Sequence, residues 1–124
     1  RRADFLRIQN DGKRVTTDSF VLLLAAGPDL DAPSRLGLVV TRKVGGAVVR
    51  NRIKRLCREA FRLWPDLLPR GTDMVVIARR AVPEMNLAWV RGEWGRVARL
   101  LFKRAGEIVG AARKTRLAQM TSQT

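Results

Sequence analysis

The chain has 124 residues, 46% of them hydrophobic, and carries 25 Lys and Arg against 11 Asp and Glu, a net charge of +14 at pH 7. It contains no histidine and a single cysteine, Cys57, which excludes His-ligated zinc, Ser-His triads, histidine acid–base chemistry and an internal disulfide. The length fits one domain, the hydrophobic content requires a packed body instead of a basic tail, and the charge excess calls for a polyanionic partner that relieves self-repulsion.

In chain order, residues 3–10 place Phe5, Leu6 and Ile8 on a short helix that Asp11-Gly12 ends. Residues 14–26 read as a strand, and the unbroken apolar run from Phe20 suggests burial on both faces. That run is far too short to span a bilayer. Two Pro-containing stretches, Gly27-Pro28-Asp29 and Ala32-Pro33-Ser34, bracket a polar loop. Residues 35–42 form a second strand. Gly45-Gly46 marks a turn expected to need permissive backbone angles. A helix follows over about residues 47–64 and stops at Pro65. Residues 73–80 read as a third strand, broken by Pro83. Asn86 is placed to cap a last helix running to Gly106 or Gly110, with Leu87, Val90, Trp94, Val97 and Leu101 on its inner face. The domain is therefore expected over 1–110, with 111–124 a polar, frayed tail.

The helix after the glycine turn is the most informative element. Ile53, Leu56, Cys57, Ala60, Phe61 and Trp64 recur at i, i+3, i+4, i+7, i+8 and i+11, the spacing of one buried face. Cys57 lies on that face and reads as a small buried hydrophobe. The other face carries Arg50, Asn51, Arg52, Lys54, Arg55, Arg58 and Arg62. Arg50, Lys54, Arg58 and Arg62 stack at i+4, where like charges cost about 0.2–0.5 kcal/mol per pair. Phosphates would offset that penalty by counterion release, and the preponderance of arginine suits bidentate phosphate contact. The turn before the helix adds Arg42 and Lys43.

Catalytic groups are harder to find. Asp29 and Asp31 are the nearest approach to a metal-holding carboxylate cluster, and they read as solvating loop residues. Asp66, Asp73, Glu84, Glu93 and Glu107 are scattered singly. No carboxylate pair flanks a nucleophile, so the chain is not expected to hold an active site of its own. Trp64 and Trp94 match the apolar stripes and read as core, whereas Trp89 falls off its stripe.

Residues 35–62, RLGLVVTRKVGGAVVRNRIKRLCREAFR, closely resemble the signature of the bacterial ribonuclease P protein subunit. The likeness rests on Arg35-Leu36-Gly37, the basic-Val-Gly turn, Ala47-Val48, the triplet Arg50-Asn51-Arg52, Lys54-Arg55 and Arg58-Glu59. It extends to Phe5 in the opening helix, Phe20 at the head of an apolar strand, Val75–Arg79, and Leu100–Arg104. This family resemblance implies an α/β (α+β) two-layer sandwich of α-β-β-β-α-β-α order. Its four-stranded mixed sheet would have a left-handed β-α-β crossover, as in a domain of certain ribosomal proteins. Residues 13–26 would then be two strands, not one. It also implies a subunit of a ribonucleoprotein endonuclease that removes the 5′ leader from precursor tRNA. The catalytic RNA would hold the Mg²⁺ ions and break the bond, with no dedicated metal site in this chain. By position, Arg42, Lys43, Arg50, Asn51, Arg52, Lys54, Arg55, Arg58 and Arg62 would face the catalytic RNA. Phe5, Phe20 and Arg79 would line a cleft for the single-stranded leader. Gln9 and Leu23 stand where some members carry further cleft aromatics.

The expected partners are thus the catalytic RNA and the precursor-tRNA leader, in the cytoplasm, with no membrane and no protein partner implied. The competing reading is a ribosomal or ribosome-associated RNA-binding protein with no part in cleavage. An architectural DNA-binding protein or a membrane-surface helix fits less well, because the apolar face of the basic helix is committed to a core.

Overall fold

The computed structural model describes residues 13–122, so the expected helix over 3–10, and with it Phe5, lies outside the described residues. The elements are β1 (Lys13–Thr16), β2 (Phe20–Ala26), β3 (Arg35–Val39), α1 (Ala47–Arg62), β4 (Thr72–Ala78), α2 (Leu87–Gly95) and α3 (Ala98–Ser122). Residues 13–26 are two strands, as the family resemblance implied and the apolar run alone did not. The break falls at Thr17–Ser19, where the backbone N–H of Thr17 donates to the carbonyl of Phe20 at 2.8 Å.

The strands form one mixed sheet in the order β1-β2-β4-β3. β2 pairs antiparallel with β1 and β4, with Leu22 opposite both Val15 and Val76. β3 runs parallel to β4, with Arg35 opposite Asp73. Parallel neighbours need a crossover, and α1 supplies it. The Arg35 guanidinium clasps the buried Asp73 carboxylate through Nε at 2.8 Å and Nη2 at 2.5 Å, tying the edge strand to its neighbour.

Alternation along the strands divides the apolar residues between two faces. Phe20, Leu22, Leu24, Met74, Val76 and Ala78 meet Ile53, Cys57 and Ala60 of α1, Val90 and Trp94 of α2, and Leu101 and Ala105 of α3. The result is one sheet layer with one helical layer packed on it. The residues that cluster on the opposite face, Val21, Leu23, Ala25, Val39, Val75 and Ile77, all come from strands. No helix among the described residues is long and apolar enough to cross a membrane.

Three expectations change. The last helix is two helices, broken after Gly95; Gly92 and Gly95 weaken the helix there, and the Val97 N–H closes a tight turn on the Trp94 carbonyl at 3.1 Å. Residues 111–122 are not frayed but continue α3 to Ser122. Arg116 fastens that extension by donating to the carbonyls of Gly27 at 2.8 Å and Pro28 at 3.1 Å, and Arg113 reaches the Asp31 carboxylate at 3.2 Å. Finally, Gly45 and Gly46 use ordinary backbone angles. The single positive-φ glycine among the described residues is Gly71, at φ 85°. A Cβ on Gly45 would crowd Val49 at 3.0 Å, so its requirement is for space.

Candidate nucleic-acid interface

Helix α1 spans 16 residues from Ala47. Ile53, Cys57 and Ala60 are buried, and Leu56, Phe61 and Trp64 pack partly against the same core. Burial in this low-dielectric stripe pushes the Cys57 thiol up to about 12. The Arg91 guanidinium lies 5.0 Å over the Trp64 ring, clipping α2 to the chain just past the end of α1. The helix therefore cannot roll, and its outer face is presented in a fixed orientation.

That face holds the basic residues read from the sequence. Asn51, Arg52, Arg55, Arg58 and Arg62 are exposed, and Arg50 and Lys54 are half-buried, Arg50 with its Nε enclosed. Arg42 and Lys43 are exposed in the preceding turn. None of Arg42, Lys43, Arg50, Arg52, Lys54, Arg55 or Arg58 pairs with a carboxylate among the described residues. Arg62 differs: its Nε and Nη2 grip Glu59 at 2.9 and 2.7 Å. That hydrogen bond and the opposite charge hold Glu59 below the usual carboxylate range and Arg62 above its own. So α1 presents a row of unneutralised cations ending in one that is already paired.

The start of α1 is also short of acceptors. Its N-cap is Gly46, with no side-chain cap and no acid in the first turn. The positive end of the helix dipole thus adds to Arg42, Lys43 and Arg50.

The residues assigned to a leader cleft separate. Arg79 is exposed at the end of β4, and its Nη1 donates to the Thr17 carbonyl at 2.9 Å. Phe20 does not line any cleft. It has no exposed surface and sits edge-on to Trp94, ring centroids 6.1 Å apart. The cause is strand alternation: Phe20 shares its face with Leu22 and Leu24, beneath the helices, while Val21 and Leu23 point to the other side. A ring enclosed there cannot stack on nucleotides. Phe5 and Gln9 lie outside the described residues.

Sequence reasoning missed the role of Glu93. It is buried on α2 and accepts from the Thr17 hydroxyl and the Ser19 backbone N–H. Those partners lie more than 70 positions away, so no local pattern marks them. Among the described residues no three Cys, Asp or Glu side chains converge as a metal site.

Comparison with known proteins agrees with this geometry. The family profile described as Ribonuclease P matches residues 1–105. The ribonuclease P protein component of Syntrophus aciditrophicus is 45% identical over 95 residues, 77% of this chain and 78% of that protein. That of Roseiflexus castenholzii is 41% identical over 113 residues, covering 90% and 87%. Among solved structures, the RNase P protein of Staphylococcus aureus superposes with a TM-score of 0.71 at 33% identity, covering 82% of this chain and 94% of that one. The RNase P protein of Thermotoga maritima gives 0.69 at 38% identity, covering 78% and 90%. The chain belongs to the bacterial ribonuclease P protein component family.

Proposed function

We propose that this ribonuclease P subunit works by position and charge: α1 and its preceding turn hold the catalytic RNA, while the sheet face that carries Val21, Val39 and Ile77, with Arg79, receives the 5′ leader of precursor tRNA. The observation that carries the reading is the row of cations, without a carboxylate partner among the described residues, on a helix whose opposite face is locked into the core. Such a row lowers the repulsion between two polyanions brought together. A rigid helix fixes their relative orientation before any bond is broken. The RNA would hold Mg²⁺ and carry out hydrolysis, and the chain would act in the cytoplasm.

The leader assignment rests on chemistry of the same kind. Val21, Val39 and Ile77 are partly exposed around the buried Leu23, Ala25 and Val75 on the sheet face opposite α1, and Arg79 stands at its end. An apolar floor with one cation at the rim suits an extended single strand held by its backbone. Phe5 is assigned to this cleft on family resemblance alone.

Reconstitution tests the reading. The purified chain is added to a ribonuclease P RNA at low Mg²⁺, and cleavage is followed on precursor tRNA with a long leader and with a single-nucleotide leader. Stimulation is expected with both and is greater with the long leader. Phe5→Ala and Arg79→Ala should erase the difference between substrates. No stimulation by the wild-type chain would reject the reading, and cleavage by the RNA-free protein would reject the division of labour.

A further inference from the structure

An open pocket of about 310 Å³ lies between β3 and α1, lined by Leu36, Leu38, Lys54, Arg58 and Phe61. Its walls are aliphatic and aromatic, and among the described residues its charged members are two cations. Lys54 and Arg58 are successive members of the i+4 line on α1. β3 ends the sheet and, among the described residues, has a single neighbour, β4. Among the described residues its outer backbone edge therefore has no ladder partner.

Holding phosphates requires cations and nothing more. A hydrated phosphate gains nothing from Leu36, Leu38 and Phe61. A nucleobase gains from all of them. Its flat faces are apolar and stack on an aromatic ring. Its polar rim needs donors and acceptors, which the backbone of the edge strand beside Leu36 and Leu38 can offer. The volume is at the lower end of the roughly 300–1,000 Å³ typical of ligand pockets.

We propose that this pocket takes one unstacked nucleobase of the bound RNA, with the flanking phosphates on Lys54 and Arg58. The inference rests on the RNA-facing assignment of α1 and deepens it. The basic face would then distinguish RNA shapes, because a base stacked in a duplex cannot enter, whereas one extruded at a bulge or junction can. An acidic peptide adding a strand to β3 is the competing occupant. It is disfavoured because the cations continue along α1 well beyond the pocket, as a polynucleotide backbone requires.

The test uses the full chain and two fluorescent 12-nucleotide probes: oligoadenylate, and the same backbone with its central nucleotides abasic. Both carry the same phosphates. The wild type is expected to bind the first about tenfold more tightly, within the range of base–aromatic stacking. Phe61→Leu keeps an apolar contact with the core but removes the ring. It should bring the two affinities within about twofold, with the salt slope unchanged because no phosphate contact is lost. Phe61→Tyr should retain the preference. Should Phe61→Leu fail to melt cooperatively, Leu38→Trp, which fills the pocket from the edge strand, should give the same loss. Equal wild-type binding of the two probes would overturn the proposal, as would a preference that survives both Phe61→Leu and Leu38→Trp. A chain that binds neither probe with salt-dependent affinity would overturn the RNA-facing assignment of α1 itself.

Discussion

Glu93 on α2 accepts a hydrogen bond of 2.5 Å from the hydroxyl of Thr17, a residue 76 positions earlier in the turn between β1 and β2. Its Oε1 also accepts from the Ser19 N–H at 2.6 Å. The same turn offers the Thr17 carbonyl to Arg79. A buried carboxylate thus shapes the loop against which a candidate leader-binding guanidinium rests.

Replacing Glu93 with Leu should therefore destabilise the fold by about 1–3 kcal/mol, because it leaves the buried Ser19 N–H without its acceptor and leaves the Thr17 hydroxyl only the Phe20 carbonyl, at 3.2 Å. Glu93→Gln keeps one acceptor oxygen and should cost less than half as much. Urea unfolding of the three proteins measures both. A loss below about 0.5 kcal/mol for the Leu variant, no more than a typical surface substitution, would contradict the assignment.

Local periodicity made some of this molecule legible and left the rest unreadable. The i, i+3, i+4 recurrence from Ile53 to Trp64 placed α1 and its basic face, because one helix turn packs against one core. Asn86 announced α2, and its side chain accepts from the Trp89 N–H at 2.9 Å. β2 was different. With Phe20 to Ala26 apolar throughout, alternation vanishes, and nothing local tells whether Phe20 faces the helices or the opposite side. Gly71 was overlooked in favour of Gly45-Gly46, since the need for φ 85° arises from a distant contact: a Cβ there would lie 2.5 Å from the Leu30 carbonyl oxygen. The extension of α3 depends likewise on carbonyls of the β2–β3 loop, more than 80 positions away.

Cys57 should make the fold sensitive to alkali. Its thiol ionises near 9.0 when solvated and is pushed up to about 12 by burial. Between those values the native state holds a proton that the unfolded chain releases, so stability falls as pH rises through that window and is unaffected below it. Cys57→Ala should flatten this decline relative to wild type above about pH 9, although the cavity it leaves lowers stability at every pH. Melting curves from pH 7 to 10.5 provide the comparison. Parallel declines for the two proteins would show that the thiol is not the group responsible. In the native wild type, the same burial should keep iodoacetamide off Cys57 until the protein unfolds.

Arg116 should matter to stability despite lying in a stretch with the composition of a tail. It ties α3 to the carbonyls of Gly27 and Pro28. Charge-assisted bonds of this kind are strong when dry, but these are largely open to solvent, so about 1 kcal/mol is the expected loss for Arg116→Ala. Arg113→Ala, which breaks an exposed pair with Asp31, should cost about half as much or less. Denaturant titration decides between this anchoring and a passive tail. If both variants unfold at the wild-type midpoint, residues 111–122 contribute nothing to holding the loop.

The basic face of α1 makes an ordered set of predictions. Arg50, Lys54 and Arg58 have no carboxylate partner among the described residues. Each neutralised to Ala should reduce the slope of log K against log salt, for a ribonuclease P RNA, by about 0.7–0.9. Arg62 is already gripped by Glu59, so Arg62→Ala should change the slope by clearly less. The reverse manipulation is more telling. Glu59→Gln removes the one acid in the row and releases Arg62. Binding should tighten and the slope should steepen, which is gain of function from deleting a salt bridge. That exposed i, i+3 pair is worth little to the fold, so stability should hardly change. If Glu59→Gln instead weakens RNA binding, Arg62 needs its partner to be positioned, and the cations on this helix do not act as independent phosphate contacts.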